Sequence, residues 1–235
     1  TKKKKTKEKN MRYLSLIILM FVLISCGEKD NFPAKVSKHN RLVFDQAFKT
    51  GDVNTAISSA QELLVYDTGN YDLMDTLASL YLNKENYNAA FNFSKKMLSL
   101  KTDDPKGIEI YAKSAANLNL SQEAINGYSK LYELDNKTAY LYEIAVQNYN
   151  IGNMANGETI IESIINTPAS KQEMYRVRIA VNTFQNVPVI SMCYYFLGTL
   201  NELQGQTKDA QSYFMEALEN APEFILAKNK IARYK

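Results

Sequence analysis

The residues in this chain that could do nucleophilic, acid–base or metal chemistry are few, and they do not cluster. The single histidine, His39, has no cysteine or acidic cluster around it and does not predict a metal site. Cys193 lies in a stretch with helical periodicity and is interpreted as a small buried residue. No glycine-rich phosphate loop and no Gly-x-Ser-x-Gly motif is present. The pair Asp103–Asp104 precedes Pro105 and predicts a helix cap rather than a cation site. We therefore expect no catalysis, cofactor or metal.

The other thiol, Cys26, follows an apolar run. From Met11 the chain reads MRYLSLIILMFVLISCGEKD, in which the basic Arg12 precedes the apolar stretch Tyr13–Ile24. This stretch is shorter than the roughly 20 residues that span a bilayer. The pattern resembles a bacterial lipoprotein signal peptide that ends in its lipobox, Leu23–Cys26. The resemblance implies cleavage before Cys26 and lipidation of its thiol. An N-terminal membrane anchor or a buried strand is the alternative.

Removal of residues 1–25, a basic extension plus the signal peptide, changes the charge of the chain. This segment carries seven of the 28 lysine and arginine residues and one of the 25 acidic residues, which leaves 21 basic and 24 acidic groups and a net charge of −3. A basic surface for nucleic acid is therefore not expected. Residues 26–36 are predicted to tether the lipid to a folded domain at 37–235.

The stretch 191–224 has the clearest pattern in that domain. Two amphipathic helices are predicted on either side of a Gln-Gly-Gln turn. Gly198 and Ala210 are small where the helices must approach closely, and Tyr194 and Phe214 are large where space must be filled. An aromatic residue, Leu-Gly, Gly, Ala, an aromatic residue, Ala and Pro at these intervals resemble a tetratricopeptide repeat (TPR).

Four weaker copies precede this unit at a nearly constant period. They are predicted at 37–70, 71–104, 105–137 and 138–169. Each start follows the previous one by about 34 residues, which is the period of TPR units. The resemblance implies an all-α fold, a right-handed α-solenoid of about five helix–turn–helix units. In the second repeat, Asn86 replaces glycine at the turn, and asparagine tolerates a left-handed conformation. Ser121 is the predicted N-cap of the second helix in the third unit.

The period breaks at residues 170–190, SKQEMYRVRIAVNTFQNVPVI. A longer helix pair with a bent connection is the favoured interpretation, and a functional insert is the alternative. The β-branched cluster Val177–Thr183 also indicates a short extended segment. Pro188 is expected to start the first helix of the last unit. At the end of the chain, residues 222–235 are predicted to form a capping helix whose basic side chains face water.

In TPR arrays the first helix of each unit lines the concave face, so the resemblance implies a groove along these helices. We expect this groove to be charged at its N-terminal end and lined with tyrosine at its C-terminal end. Rigid aromatic rings beside amide groups are suited to a peptide or protein partner. The candidate partner-binding residues are Asn83, Lys113, Asn117, Tyr142, Tyr149, Asn150, Tyr195 and Thr199. A solvated groove without a specific ligand is the alternative.

These patterns predict a non-enzymatic scaffold, anchored to the membrane through lipidated Cys26, that binds a protein or peptide partner in its concave groove. One alternative is a structural subunit of an outer-membrane assembly or secretion complex that uses its convex face, and another is glycan or peptidoglycan binding. Gly27 after the lipidated cysteine favours the outer membrane, by analogy with proteobacterial sorting. The composition, rich in Asn, Lys, Ile and Tyr, resembles that of Bacteroidetes proteins. We expect a lipid-anchored protein of the cell envelope.

Overall fold

Helices joined by short turns make up most of the structure. The computed structural model describes residues 32–234 of the 235-residue chain, so the predicted signal peptide and the lipidation site Cys26 lie outside the described residues. Contacts within the chain define two compact units, one that ends at Gly69 and one that begins at Asn70. The division lies one residue before the boundary between the first and second predicted repeats.

The first unit is a pair of packed helices, α1 (Phe32–Thr50) and α2 (Val53–Tyr66). Asp52 caps α2, because its carboxylate accepts hydrogen bonds from the backbone N–H of Thr55 at 3.2 Å and from the Thr55 hydroxyl at 2.7 Å. These bonds lower the pKa of the Asp52 carboxyl. Helix α1 begins at Phe32, and its first turn therefore occupies part of the predicted tether at 26–36.

The second unit begins with three successive helix pairs, each packed on the next. Their helices are α3 (Tyr71–Asn83), α4 (Tyr87–Leu100), α5 (Pro105–Asn117), α6 (Ser121–Asp135), α7 (Thr138–Asn150) and α8 (Met154–Ile165). A 3-10 turn at Pro168–Lys171 leads into a β-hairpin, and three further helices complete the unit. These last elements are β1 (Met174–Ala180), β2 (Thr183–Pro188), α9 (Val189–Leu203), α10 (Thr207–Asn220) and α11 (Ile225–Ile231).

The hairpin replaces the longer helix pair that we favoured for residues 170–190, so that interpretation is wrong and the extended alternative is confirmed. The strands are antiparallel, with Tyr175 opposite Val187 and Val177 opposite Gln185. In β1, intermediate and exposed residues alternate strictly. The reason is the period-two pattern of MYRVRIA, which places apolar side chains on one face of a strand and arginines on the other. Pro188 is the residue before α9, as expected.

A residue in the left-handed conformation recurs at the same position in the turn of each of the five repeats. The five residues with positive φ at this position are Gly51 (76°), Glu85 (59°), Asn119 (58°), Gly152 (80°) and Gly205 (77°). The sequence intervals between these five residues equal those between the starts of the predicted repeats, including the longer interval that contains residues 170–190. In the second repeat, the prediction that Asn86 takes the left-handed conformation is wrong, because Glu85 takes it instead. Asn86 instead caps α4 by accepting a hydrogen bond from the Ala89 N–H at 3.2 Å.

Two further cap predictions have opposite outcomes. Asp104 caps α5, as predicted, by accepting a hydrogen bond from the backbone N–H of Gly107 at 2.6 Å. The prediction for Ser121 is wrong, because Ser121 is the first residue of α6 and Leu120 is its N-cap. The Ser121 hydroxyl donates to Gln147 Oε1 of α7 at 2.8 Å, and this buried bond links two neighbouring helices.

Small residues allow the paired helices of the second unit to approach closely. Those on the first helices are Ala78, Ala112, Ala145 and Gly198, and those on the second helices are Ala90, Ala124, Gly157 and Ala210; all are buried. A Cβ atom at Gly198 would lie 2.7 Å from the ring of Phe214, and one at Gly157 would lie 2.6 Å from the ring of Tyr149. The Tyr149 ring is therefore the reason that glycine stands at 157 where the other repeats have alanine.

Helix α11 covers the last helix pair, as predicted. Phe224 and Ala227 are fully buried in one core cluster with Ala217 of α10. The expectation that all basic side chains of this segment face water is wrong for Lys230. Its ammonium pairs with Glu202 of α9, and only 17% of its side chain is exposed.

Candidate functional site

Three of the predicted candidates lie on the wall of one cleft in the second unit. The C-terminal ends of α3, α5 and α7 contribute Asn83, Lys113, Asn117 and Gln147 to a cavity of about 710 Å³. Asn83 and Asn117 are the last residues of their helices, and Asn150 is the last residue of α7. The Asn117 amide donates to the Lys113 carbonyl at 2.8 Å, and that of Asn150 donates to Gln147 Oε1 at 3.3 Å. The same repeat position thus carries an amide group three times.

The opposite wall is the β1–β2 hairpin, and Glu173 fixes its base. The Glu173 carboxylate accepts hydrogen bonds from the backbone N–H groups of Thr138 and Ala139 at 2.7 and 2.9 Å, and from the Thr138 hydroxyl at 2.7 Å. The N-cap residue of α7, Lys137, makes no capping bond through its own side chain. Glu173 therefore supplies the cap of α7 from 35 residues further along the chain.

Beneath β1, Tyr175 and Glu143 form a hydrogen-bonded pair that borders the cleft. The Tyr175 hydroxyl donates to Glu143 Oε1 at 2.5 Å. Burial raises the pKa of the Glu143 carboxyl, while the bond from Tyr175 and the charge of Lys113 oppose that rise. Burial and the neighbouring Glu143 carboxyl raise the pKa of Tyr175 well above its usual value. The Glu143 carboxyl in the cleft is therefore protonated more readily than that of an exposed glutamate.

An ion pair closes one end of the cleft. Arg178 of β1 pairs with Glu85 in the α3–α4 turn, and about half of each side chain is exposed, so water screens the pair. The guanidinium groups of Arg176 and Arg178 lie over the ring of Phe184, at 4.3 and 5.7 Å from its centroid. These contacts place two cations on the same face of the hairpin.

Tyr142 does not lie on an open groove surface, and its predicted placement there is wrong. It is only 6% exposed. The rings of Tyr175 and Phe196 stand edge-on to it, with centroids 5.1 and 6.1 Å away. The hairpin covers this part of the groove, and Tyr142 is a core residue beneath it.

The remaining candidates also lie away from the cleft. Tyr149 packs edge-on against Phe196 at 5.0 Å. The ring of Tyr195 lies 5.6 Å from that of Phe214 and 5.2 Å from that of Phe224. The Thr199 hydroxyl donates to the carbonyl of Tyr195 at 2.9 Å, and Asn150 is exposed at the end of α7. The tyrosines at this end of the groove thus contact the chain's own rings.

The residues that sequence reasoning missed are on the hairpin and beneath it. They are Tyr128, Glu143, Tyr175, Arg176, Val177, Arg178 and Phe184. The alternation in 174–180 is a signal for the strand. No local pattern shows that the strand docks on helices far away in the chain, as the bonds from Tyr175 to Glu143 and from Arg178 to Glu85 do.

The cysteine and the histidine of the described residues belong to different compact units. Cys193 is fully buried, as predicted, and burial raises the pKa of its thiol to about 12. His39 is exposed on α1. Between residues 32 and 234, no group of three or more His, Cys, Asp or Glu side chains is placed to hold a metal ion. None of the helices in that described range is both long enough and apolar enough to cross a membrane.

Comparison with known proteins agrees with this architecture. The tetratricopeptide repeat family model matches residues 193–224, the unit with the clearest pattern. No curated protein sequence matches the chain. In the crystal structure of the MamA protein, 19% of aligned residues are identical, the TM-score is 0.58, and the match covers 86% of this chain and 97% of that one.

Two other solved structures are similar. One is YrrB, described as a TPR protein with an unusual peptide-binding site, at 13% identity and a TM-score of 0.57, covering 79% of this chain and 87% of that one. The other is the C-terminal part of a TPR repeat-containing protein from Cytophaga hutchinsonii, at 17% identity and a TM-score of 0.58, covering 83% and 73%. The predicted fold class, a helical solenoid of TPR type with a capping helix, is confirmed, and the hairpin is an addition to it.

Proposed function

We propose that this protein is a membrane-anchored scaffold of the bacterial envelope that holds a peptide or protein segment in the cleft between the helix ends and the hairpin. The observation that carries the proposal is the cleft itself. Polar groups from three successive helix pairs face a β-hairpin across about 710 Å³. Functional sites in helical repeat proteins commonly lie on the extended concave surface that such stacking creates.

The chemistry of the lining favours a polypeptide ligand. A peptide backbone presents N–H and C=O groups at regular intervals, and the amides of Asn83 and Asn117 stand one repeat apart on the same wall. Tyr128 and Phe184 add ring surface, which gives contact area at a low cost in side-chain entropy.

The anchor in this proposal is Cys26. Its support is the sequence pattern alone: an apolar run that ends at the lipobox-like Leu23–Cys26 and continues into polar residues. A diacylated cysteine would hold the folded part of the chain at the membrane surface. The outer membrane is the proposed location, and the partner is a protein or peptide of the envelope.

The test is crosslinking capture from intact cells with a cleft variant and a matched control. Asn117→Arg places a bulky cation in the cleft, and Asn117 is exposed, so the fold should tolerate the change. Glu133→Arg places the same side chain on the outer surface of α6. We expect a recurrent envelope partner that is lost with Asn117→Arg and kept with Glu133→Arg. Capture of the partner by the Asn117→Arg variant would contradict the proposal that the cleft is the binding site.

A third variant, Cys26→Ala, tests the anchor in the same experiment. We expect it to release the protein from the membrane fraction and to reduce capture of the partner. Wild-type protein found in the soluble cytoplasmic fraction would overturn the lipoprotein part of the proposal and leave the cleft part standing.

A second cavity favours the alternative of a structural subunit that uses its convex face. It measures about 500 Å³ and lies among α4, α5 and α6, with Leu98, Ile108 and Tyr111 in its lining. Glu133 also lines this cavity. Loss of the partner with Glu133→Arg, together with retention in Asn117→Arg, would select this surface instead.

A further inference from the structure

The hairpin wall of the cleft is formed by consecutive residues of one strand. Tyr175, Arg176, Val177 and Arg178 all line the cavity. Side chains of a strand point alternately to its two faces, so a cavity that meets four residues in a row lies against the edge of the strand. The cleft therefore runs along the outer edge of β1.

This edge of β1 is open. The sheet has two strands, and β2 pairs with the other edge of β1. Within residues 32–234, no hydrogen bond apart from this ladder reaches the backbone of 174–180. An unpaired strand edge is a ready template for a further strand.

The outer edge of β2 lies in a different environment. The Gln185 side chain donates to the Glu223 carbonyl at 2.6 Å and accepts from the Ile225 N–H at 3.0 Å. These bonds hold β2 beside the turn between α10 and α11. The two strands therefore differ: β2 is tied to that turn and contributes Phe184 to the cavity, whereas β1 contributes four residues in a row.

The charges beside the open edge indicate which side chains would fit there. Arg176 is exposed, and within residues 32–234 no carboxylate lies at ion-pair distance from it, whereas Arg178 on the same face pairs with Glu85. An acidic side chain on an added strand would lie beside Arg176, whose guanidinium rests on the Phe184 ring, and could form an ion pair with it. On the other face of β1, Tyr175 and Val177 point toward the helices, and an apolar side chain fits there.

We propose that the cleft takes an extended peptide as a third strand on the open edge of β1, with an acidic side chain beside Arg176 and apolar residues alternating with it. This inference rests on the proposed function and adds the binding mode and the chemistry of the ligand. Backbone hydrogen bonds would give affinity, and the alternating side chains would give selectivity.

The test uses synthetic peptides on the full chain, kept in a mild detergent, with binding followed by calorimetry. The probe is an eight-residue peptide of alternating valine and glutamate, acetylated and amidated at its ends. We expect saturable binding, and at least tenfold weaker binding when lysine replaces each glutamate. N-methylation of one set of alternate amides should abolish binding and methylation of the other set should be tolerated, because alternate N–H groups of a strand point to opposite edges.

Protein variants identify the surface. Arg176→Glu should reverse the preference, so that the lysine peptide binds more tightly, and Lys130→Glu on α6 is the matched control that should leave it unchanged. Equal binding of the acidic and lysine peptides, equal tolerance of both methylation patterns, or no binding of the acidic peptide overturns strand addition. Each of these results leaves the proposed function intact if Asn117→Arg still abolishes capture of the partner, so the two failures are distinguishable.

Discussion

Glu109 of α5 and Tyr142 of α7 stand at the same position in successive repeats, yet their surroundings differ. Glu109 forms an ion pair with Lys113 on the helix surface, and 41% of its side chain is exposed. Tyr142 is 6% exposed and lies beneath the hairpin. One half of the groove thus faces water, and the protein fills the other half with its own strand. The cleft lies where the two halves meet.

In this protein, tyrosines along the groove pack within the protein. Tyrosine at the groove position of a repeat suggests a surface for a partner, but in α7 and α9 the rings of Tyr142 and Tyr195 contact Tyr175, Phe214 and Phe224 of the same chain. These aromatic side chains therefore pack against other rings of the same chain. The surface left for an external partner is lined by the amides of Asn83 and Asn117, by charged groups and by the rings of Tyr128 and Phe184.

The largest difference in stability is expected between alanine variants of Tyr142 and Glu109, the two equivalent repeat positions. Tyr142→Ala removes a buried ring and should lower the free energy of unfolding by about 4 kcal/mol. Glu109→Ala removes an exposed ion pair on a helix and should change it by less than about 0.5 kcal/mol. Urea unfolding followed by circular dichroism measures both. Similar losses for the two variants would mean that the hairpin does not cover Tyr142.

The second effect compares the long-range helix cap with a local one. Glu173→Ala leaves two backbone N–H groups and a buried hydroxyl without their acceptor, and should cost about 2–3 kcal/mol. Asp104→Ala removes one local capping bond and should cost about 1 kcal/mol. The same unfolding experiment compares them, and a smaller loss for Glu173→Ala would contradict the capping role of the hairpin base.

The third effect concerns Glu143 and depends on pH. Because burial raises its pKa in the folded protein above the usual value of 4.5, the ionised carboxyl disfavours folding. The contribution of Glu143 to stability should be greatest below pH 4.5 and fall as the pH rises through the raised pKa, by about 1.4 kcal/mol for each unit of the rise. Glu143→Gln removes this ionisation, so its stability relative to wild type should increase with pH. A difference that stays constant between pH 4 and 8 contradicts the raised pKa.

The smallest effect is expected at the mouth of the cleft. Arg178→Ala removes an ion pair whose two side chains are about half exposed. Screening by water and salt makes such pairs weak, so the urea midpoint should shift less than it does for Asp104→Ala, and the shift should vanish at high salt. A larger, salt-independent shift would show that this contact is a principal attachment of the hairpin.

The repeats of the second unit could be predicted from sequence because their signals are local. Period, small residues at helix crossings and turn residues all lie within a few positions of one another, as in the pair Gly198 and Phe214. Which turn residue takes the left-handed conformation was harder to predict, because Glu85 does so despite having a side chain and Asn86 is needed as a cap.

The cleft could be predicted only on its helical wall. Asn83, Lys113 and Asn117 follow from repeat register, which fixes the face of each first helix. The hairpin wall could not, because a strand signal in 174–180 does not say where the strand docks. That placement depends on Glu173 reaching Thr138 and on Tyr175 reaching Glu143, and both contacts join positions far apart in the chain.

The most direct test of the central claim, that the hairpin lies across the groove, is an intramolecular crosslink between Glu85→Cys and Arg178→Cys with a short bismaleimide. Each variant with only one of the two added cysteines is the control, Cys26 is replaced by alanine in all of them, and the buried Cys193 should not react. The account predicts rapid formation of one linked peptide pair containing positions 85 and 178, identified by mass spectrometry. Only single adducts at each cysteine, with no linked pair, would contradict the docked hairpin and the cleft beside it.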